Sequence, residues 1–306
     1  MRFILIAILM IYSSAYAAEC DYSLSVGNAT IQIEDAAQVI QQGISLNRGQ
    51  QSPSSRCRNY RIFFSKGLSN NYQRSAFSFY NGSINYNLHP SINMAGTLKD
   101  FSDAVTSNER LEGSAPEKNT IYSNRFFISV PGHNNNLLLA GTYLDIVQVS
   151  IYGYNENSGK YLFDDAVNFT TVFYVPKKVQ VSLLDEGQAF DASSTSKTLD
   201  FGIMEQNQEK GADLRILSNG SYRINLSSLN NGKLVQGNNS VAYSLRVNGT
   251  GISLSSSSSS PVQIGSGTTT GQAGHLYNLK IKITESVANK NAGLYQDMIT
   301  ITAIAN

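Results

Sequence analysis

The chain has 306 residues, of which 23 are lysine or arginine and 22 are aspartate or glutamate, so its formal net charge at pH 7 is +1. This near-balance excludes the strong positive field with which proteins bind nucleic acid or anionic lipid through charge alone. The length suits two domains of about 150 residues each, and short alternating runs bounded by Asn-Gly, Ser-Gly or Asn-Asn predict an all-β fold.

The first 17 residues predict a cleaved export signal. Arg2 precedes a short apolar run from Phe3 to Ile11, and Ala15-Tyr16-Ala17 has the small-x-small pattern of a signal peptidase site. The run is too short for a permanent membrane helix, and no other segment is apolar enough to span a bilayer. An ordinary buried N-terminal helix is the alternative. We therefore expect an exported chain that begins near residue 18 and is not inserted in a membrane.

The two cysteines of the sequence, Cys20 and Cys57, predict a disulfide. An isolated pair in an oxidising compartment is typical of such a bond, which for a loop of this length is worth about 4 kcal/mol in the chain-entropy treatment. A metal site or a catalytic thiol is the alternative, but neither cysteine has a histidine or aspartate cluster beside it in the sequence.

Three short blocks occur twice, in the same order. The pairs are AGTYLD at 140–145 with AGLYQD at 292–297, SINYNL at 83–88 with SVAYSL at 240–245, and YRIFFS at 60–65 with YRINLS at 222–227. Their offsets of 152, 157 and 162 residues predict two copies of one fold. In the first block the glycine allows a tight bend, and the tyrosine resembles the corner tyrosine of immunoglobulin-like sandwiches, whose hydroxyl bonds the backbone.

The two copies differ at their C-terminal ends. The first continues through a turn at 154–160 into one more extended segment, 162–175, which closes its sandwich; the second ends with the strand 298–305, where that hairpin should begin. We therefore predict a complete domain at 18–175 and a domain at 176–306 that lacks its last strand. Such an open edge invites aggregation unless another chain supplies a strand. The alternative is that 298–305 is a natural edge strand.

Residues in both halves resemble a known family. Phe201-Gly202 after a strand, Tyr86-Asn87-Leu88 and the two Ala-Gly-x-Tyr-x-Asp motifs resemble the spore coat U domain, which subunits of archaic chaperone–usher pili use. The resemblance covers nearly the whole mature chain and implies two immunoglobulin-like β-sandwich domains. The expected layout, a complete domain followed by an incomplete one, is similar to that of the tip adhesins of these pili. Only two or three residues separate the expected cleavage site from Cys20, which leaves no room for an N-terminal donor strand, so the subunit is expected at the end of the polymer.

The resemblance further implies the assembly partners. A periplasmic pilus chaperone would hold the second domain until an outer-membrane usher exchanges it for the donor strand of the adjacent pilin subunit. The expected groove walls are Val179, Val181, Leu183, Ile299, Ile301 and Ala303. The alternative is that these residues only form core.

The resemblance assigns adhesion to the first domain, at the extracellular tip of the pilus. There it would attach cells to an abiotic surface or a host receptor and promote biofilm growth. A secreted spore-coat-like or matrix structural protein and a soluble lectin are the alternatives.

Aromatic residues in two segments of the first domain are the candidates for that contact. We expect the turn 154–160 at the end away from Pro176, with the loop 66–81 beside it. The candidates are Tyr72, Phe77, Phe79, Tyr80, Tyr154 and Tyr161. Exposed aromatic rings favour apolar or sugar-stacking contact. Phe77 and Phe79 alternate, however, and for these two we favour the buried face of a strand.

The sequence contains no motif that predicts catalysis. His89, His133 and His275 are isolated, and neither a Gly-x-Ser-x-Gly elbow nor a phosphate loop occurs. A glycosidase needs two carboxylates that face each other across a cleft, whereas Asp164 and Asp165 are adjacent and would point to opposite faces of a strand. We therefore expect no catalytic residue, no metal, no cofactor and no nucleic-acid partner.

Overall fold

The computed structural model describes residues 20–50, 57–79, 82–132 and 138–306. The predicted export signal and Tyr80 lie outside the described residues. The described part contains nineteen β-strands and a single turn of 3-10 helix, Ser107–Glu109. Within these ranges there is no helix of the length and hydrophobicity that a membrane span requires.

The strands alternate buried and exposed residues, as the sequence pattern predicts. The first ten, β1 to β10, are Tyr22–Val26, Ala29–Gln32, Gln38–Arg48, Asn59–Phe64, Arg74–Ser78, Gly82–His89, Leu111–Ser114, Thr120–Val130, Gly141–Asn155 and Lys160–Val175. The remaining nine, β11 to β19, are Val179–Leu184, Glu209–Ser218, Tyr222–Ser228, Lys233–Gln236, Asn239–Val247, Thr250–Ile252, Val262–Gly267, His275–Ile283 and Ile299–Ala305. In β13, for example, Tyr222, Ile224 and Leu226 are buried while Arg223 is exposed.

Strands β1 to β10 form one two-layer sandwich. One layer has the order β1-β3-β8-β6, the other contains β2, β10, β9, β4 and β7, and β5 joins β6 to β9. The described core between the layers has 29 buried residues, among them Phe126, Phe169 and Phe173.

Strands β11 to β19 form a second sandwich. The layer β11-β12-β18-β15-β14, with β16 beside β15, lies against the layer β17-β13-β19. Among the described residues no strand pairs across the boundary between Val175 and Val179. The prediction of two all-β sandwiches is confirmed, and among the described residues no strand of the second one occupies the position that β10 has in the first.

The strand register confirms the duplication. In the first sandwich β4 pairs with β9 so that Tyr60 lies opposite Gly153. In the second, β13 pairs with β19 so that Tyr222 lies opposite Ala305. Tyr222 follows Tyr60 by 162 residues and Ala305 follows Gly153 by 152 residues, which are two of the offsets found between the repeated blocks. The two copies therefore match in how their strands pair as well as in sequence.

The Ala-Gly-x-Tyr motif makes the same corner in both copies. Gly141 and Gly293 have φ values of 148° and 151°, a region that residues with a side chain rarely adopt. Each tyrosine hydroxyl donates to the carbonyl four residues upstream, at 2.8 Å for Tyr143 and 3.0 Å for Tyr295. The predicted corner is therefore present twice.

The disulfide between Cys20 and Cys57 is present. Both cysteines are fully buried, and their Cα atoms are 5.4 Å apart. The Tyr22 hydroxyl donates to the Cys57 carbonyl at 2.5 Å, so that the crosslink is tied to β1.

Asp164 and Asp165 anchor the start of the chain to the last strand of the first sandwich. A β-bulge between Phe163 and Asp165 interrupts the expected alternation. The Asp164 carboxylate accepts the Cys20 N–H at 2.8 Å, and the Asp165 carboxylate accepts the Leu24 N–H at 2.8 Å. The expectation that the two side chains diverge was wrong, because a bulge cannot be read from the local pattern.

The buried position of Asp164 predicts a pH-dependent stability. Burial raises the pKa of Asp164 to about 6, against the opposing effect of the N–H bonds from Cys20 and Gly153. Because the folded state then binds the proton more tightly than the unfolded state, this group favours folding most below about pH 4 and loses that contribution as the pH rises to about 6. We expect a loss of about 3 kcal/mol between pH 4 and pH 7, measured by urea unfolding of the first domain. The Asp164→Asn variant should lack this component, and an equal pH dependence in both proteins would contradict the assignment.

Candidate functional site: an open groove in the second sandwich

Two neighbouring strands of the second sandwich, β11 and β19, each have an edge without a partner among the described residues. β11 pairs on one side with β12, and β19 pairs on one side with β13. Neither has a second neighbour in the part of the chain that the structure describes. The two strands belong to opposite layers and approach within 8 Å between Cα atoms. Two open edges therefore lie side by side.

The residues along these edges are only half covered. They are Val179, Val181 and Leu183 in β11 and Ile299, Ile301 and Ala303 in β19. All six are partly buried and pack against the second core. Their neighbours in sequence Gln180, Thr300 and Thr302 are exposed, as the period of two in a strand requires. The expected groove residues thus form an apolar floor between the two open edges.

The second core as a whole is less covered than the first. Among the described residues the second core has 13 buried members and 14 partly buried apolar residues around them. The first core has 29 buried members and five partly buried ones. A core with more half-covered than covered residues leaves apolar surface in contact with water, which disfavours folding. The groove accounts for six of those 14.

A carboxylate fixes the start of β19. Asp297 accepts the Tyr243 and Ser228 hydroxyls, each at 2.5 Å, and the Asn230 N–H at 2.9 Å. Burial and the adjacent carboxylate raise the pKa of Tyr243 far above its usual value. The bonds tie β19 to β13 and β15, so that one wall of the groove is held from the core side.

The first sandwich repeats this arrangement. Asp145 accepts the Tyr86 hydroxyl at 2.6 Å and the Leu68 N–H at 2.7 Å. Burial, followed by the charge of Asp145, raises the pKa of Tyr86 well above its usual range. Sequence reasoning missed this tyrosine–aspartate pair, although its signal was present: both residues recur in the duplicated blocks.

Tyr154 and Tyr161 lie together at one end of the first sandwich. They face each other across the β9–β10 hairpin, and their ring centroids are 5.0 Å apart. The Arg61 guanidinium lies 4.0 Å from the centre of the Tyr161 ring, a distance at which cation–π attraction is favourable. Val175 at the far end of β10 pairs with Gly141, so the hairpin turn lies at the opposite end of β10 from Pro176.

The loop 66–79 does not lie beside that turn. The Ser65 N–H donates to the Gln148 carbonyl, and the Leu68 N–H donates to Asp145, near the start of β9. The expectation was wrong because β4 runs antiparallel to β9. The loop that follows β4 therefore lies toward the start of β9, whereas the turn 154–160 follows the end of β9.

The three described candidates in this loop differ in exposure. Tyr72 is held by its hydroxyl, which donates to Asp103 at 2.9 Å and accepts the Asp100 N–H at 2.9 Å, and burial raises its pKa to about 12. Phe77 is 41% exposed and Phe79 is 89% exposed. The buried interpretation of these phenylalanines was wrong, since Ala76 takes the inward position of β5.

No protein-family model matches the chain, and no curated protein matches it in sequence. The resemblance to the spore coat U domain thus has no family match behind it.

Among solved structures, the chain is similar to a chain of the CsuC–CsuE chaperone–tip adhesion subunit pre-assembly complex from archaic chaperone–usher Csu pili of Acinetobacter baumannii. The TM-score is 0.47 and the identity 15%, over 92% of this chain and 99% of that one. The CupB6 tip adhesin of Pseudomonas aeruginosa has a TM-score of 0.40 and 10% identity, over 92% of this chain and 94% of that one. The CssB subunit of enterotoxigenic Escherichia coli, complemented with a donor strand from CssA, has a TM-score of 0.32 and 16% identity, over 50% of this chain and 97% of that one.

Proposed function

We propose that the chain is the two-domain tip subunit of a chaperone–usher pilus. Its second domain accepts a β-strand from the adjacent pilin subunit, and its first domain attaches the cell to a surface or receptor and so promotes biofilm growth. The single observation that carries the proposal is the pair of unpartnered edges, β11 and β19, beside a half-covered apolar floor.

The open edges supply the first part of a strand-binding site. Each presents backbone N–H and C=O groups that no strand of the described residues pairs, apart from Leu183 of β11, whose N–H and C=O both bond Ser194. An inserted strand would pair with both rows once the two edges separate enough to admit it. Strand addition of this kind derives its affinity from the main chain and its specificity from alternate side chains.

The apolar floor supplies the second part. Ile299, Ile301 and Ala303 alternate along β19, and Val179, Val181 and Leu183 alternate along β11. A strand that inserts between them must carry apolar residues at every second position to reach this floor. Each fully buried apolar side chain is worth about 1.5–3 kcal/mol, so three of them give about 5 kcal/mol or more.

The first sandwich contains a template for the inserted strand. There β10 pairs antiparallel with β9 along its length and parallel with β2 near its end. Its residues Phe169, Phe173 and Val175 point into the core and are buried. Since β19 is the duplicate of β9, a donor strand that takes the position of β10 runs antiparallel to β19.

The assembly partners follow from the same groove. Before a donor strand arrives, the half-covered floor needs protection during export, which a periplasmic chaperone provides. An outer-membrane usher then exchanges the chaperone for the strand of the next subunit. The finished subunit is extracellular, at the pilus tip.

The test is to add a strand to the full chain. A designed strand with apolar residues at every second position is fused after Asn306 through a short Gly-Ser turn, which enforces the antiparallel direction. A gain of about 5 kcal/mol raises the melting temperature of the second domain by on the order of 15 °C. The control carries the same residues in an order without alternation, and it should leave the melting temperature unchanged. If neither fusion shifts it and the unfused chain is a stable monomer, the groove does not accept strands, and a self-contained secreted structural protein becomes the better account.

A further inference from the structure

An open cleft of about 720 Å³ lies on the first domain, away from the strand-accepting groove. Its floor is the outward face of β3 and β8, and its rim is formed by β7 and the residues just before it. The residues that matter are Gln41, Gly43, Arg110, Glu112, Ser123 and Arg125.

The cleft has an excess of positive charge. The Glu112 carboxylate is shared by two guanidinium groups, since it pairs with Arg110 and, at 3.0 Å, with Arg61. Arg125 is exposed and has no ion pair among the described residues. Two arginines thus neutralise one carboxylate, and the guanidinium of Arg125, which lines the same cleft, remains available. A guanidinium presents two parallel N–H donors and binds carboxylates in bidentate fashion.

The rest of the lining is polar and open. Ser123 offers a hydroxyl and Gln41 an amide, and each is exposed. Gly43 leaves the backbone uncovered, because a Cβ at this position would meet no atom within 4 Å. Hydroxyl and amide groups around a flat, open floor fit a ligand that carries many hydroxyls as well as an acid group.

A saccharide suits this lining better than an extended peptide. Although β1 covers β3 only from Ile44 to Arg48 and β6 covers β8 only from Phe127 to Ser129, so that strand edges are open at the cleft, strand addition takes its specificity from pockets for alternate side chains. The side chains on the floor are instead the polar groups of Gln41, Ser123 and Arg125. A saccharide needs no strand edge, since its ring hydroxyls bond side chains and its ring faces contact aromatic groups.

Arg61 connects the cleft to the aromatic tip. It pairs with Glu112 at the rim of the cleft, and its guanidinium lies 4.0 Å above the ring of Tyr161, which packs against Tyr154.

We propose that this cleft binds an acid-bearing saccharide, with the acid group on Arg125 and the ring over Gly43. The inference rests on the proposed function only in assigning adhesion to the first domain, and it does not involve the strand-accepting groove.

The experiment measures binding of small saccharides to the full chain by saturation-transfer NMR and calorimetry. The probes are sialyllactose, a glucuronate-containing disaccharide and neutral lactose. We expect at least one acidic probe to bind and lactose to bind at least tenfold more weakly. Preference between the two acidic probes identifies which acidic sugar the cleft takes.

Two variants test the site in different ways. Arg125→Ala removes the anion contact and should weaken binding of the acidic probe at least tenfold. A hydrogen bond to a charged group changes the dissociation constant by a factor of about 10 to 100. Gly43→Val places a side chain on the floor and should weaken binding similarly, while a β-branched residue in a strand keeps the domain folded. Arg246→Ala, which removes an exposed arginine from β15 of the second domain, is the matched control and should bind as the parent does.

The proposal is overturned if no acidic probe binds, if lactose binds equally well, or if Arg125→Ala retains full affinity. In each of these cases the fused-strand experiment on the second domain is unaffected, so a failure of this inference is distinguishable from a failure of the proposed function.

Discussion

Replacing Ile301 by aspartate should abolish the stabilisation that a fused alternating strand confers on the second domain. Ile301 lies in the middle of the apolar floor, opposite the buried Leu226 of β13. A carboxylate at this position would be trapped between the core and the inserted strand, and burying an unpaired charge costs more than the hydrophobic contacts return. We expect a loss of about 5 kcal/mol in the free energy of unfolding of the fused protein, measured by urea titration.

Thr302→Asp is the matched control for this substitution. Thr302 is the next residue of the same strand, and its side chain is exposed on the opposite face. The same charge there should change the stability of the fused protein by less than about 0.5 kcal/mol. Equal effects of the two substitutions would mean that the inserted strand does not contact the predicted floor.

The two duplicated aspartates should be the most sensitive polar positions of the protein. Asp145 is fully buried, and its replacement by alanine leaves the Tyr86 hydroxyl and the N–H groups of Leu68 and Ile146 without their acceptor. Each buried donor left without a partner costs about 1–3 kcal/mol. We expect Asp145→Ala to destabilise the first domain by about 5 kcal/mol, measured by urea unfolding.

Asp297→Ala should act on the second domain in the same way, with an additional consequence for assembly. Its partners Tyr243, Ser228 and Asn230 hold the start of β19, so the variant should also reduce the stabilisation gained from a fused strand. Asp191→Ala is the control, since this exposed carboxylate bonds only Ser193 and should be replaceable without a measurable change. Unchanged stability of both Asp145→Ala and Asp297→Ala would show that the duplicated pair is not a structural anchor.

Features encoded in local patterns were predictable from the sequence. The period of two predicted the strands and the repeated blocks predicted the duplication. The offsets of 162 and 152 residues between those blocks relate the pair Tyr60–Gly153 to the pair Tyr222–Ala305. The glycine–tyrosine corner was predictable too, because its hydrogen bond spans only four residues.

Features that depend on strand direction and layer order were not predictable in this way. The position of the loop 66–79 was wrong because it follows from β4 running antiparallel to β9. The exposure of Phe77 depends on which face of β5 meets the core, and the alternation of Phe77 and Phe79 is the same for either face.

The sequence by itself therefore determined that this protein is a duplicated all-β chain, because strand periodicity and repeated blocks are properties of neighbouring residues. Only the tertiary structure decided which groups meet. It brought Asp164 to Cys20, Tyr86 to Asp145, and Arg125 to Gly43 and Glu112 around one cleft. These residues are distant along the chain, and their contacts arise from how the sheets fold over one another, which no local pattern encodes.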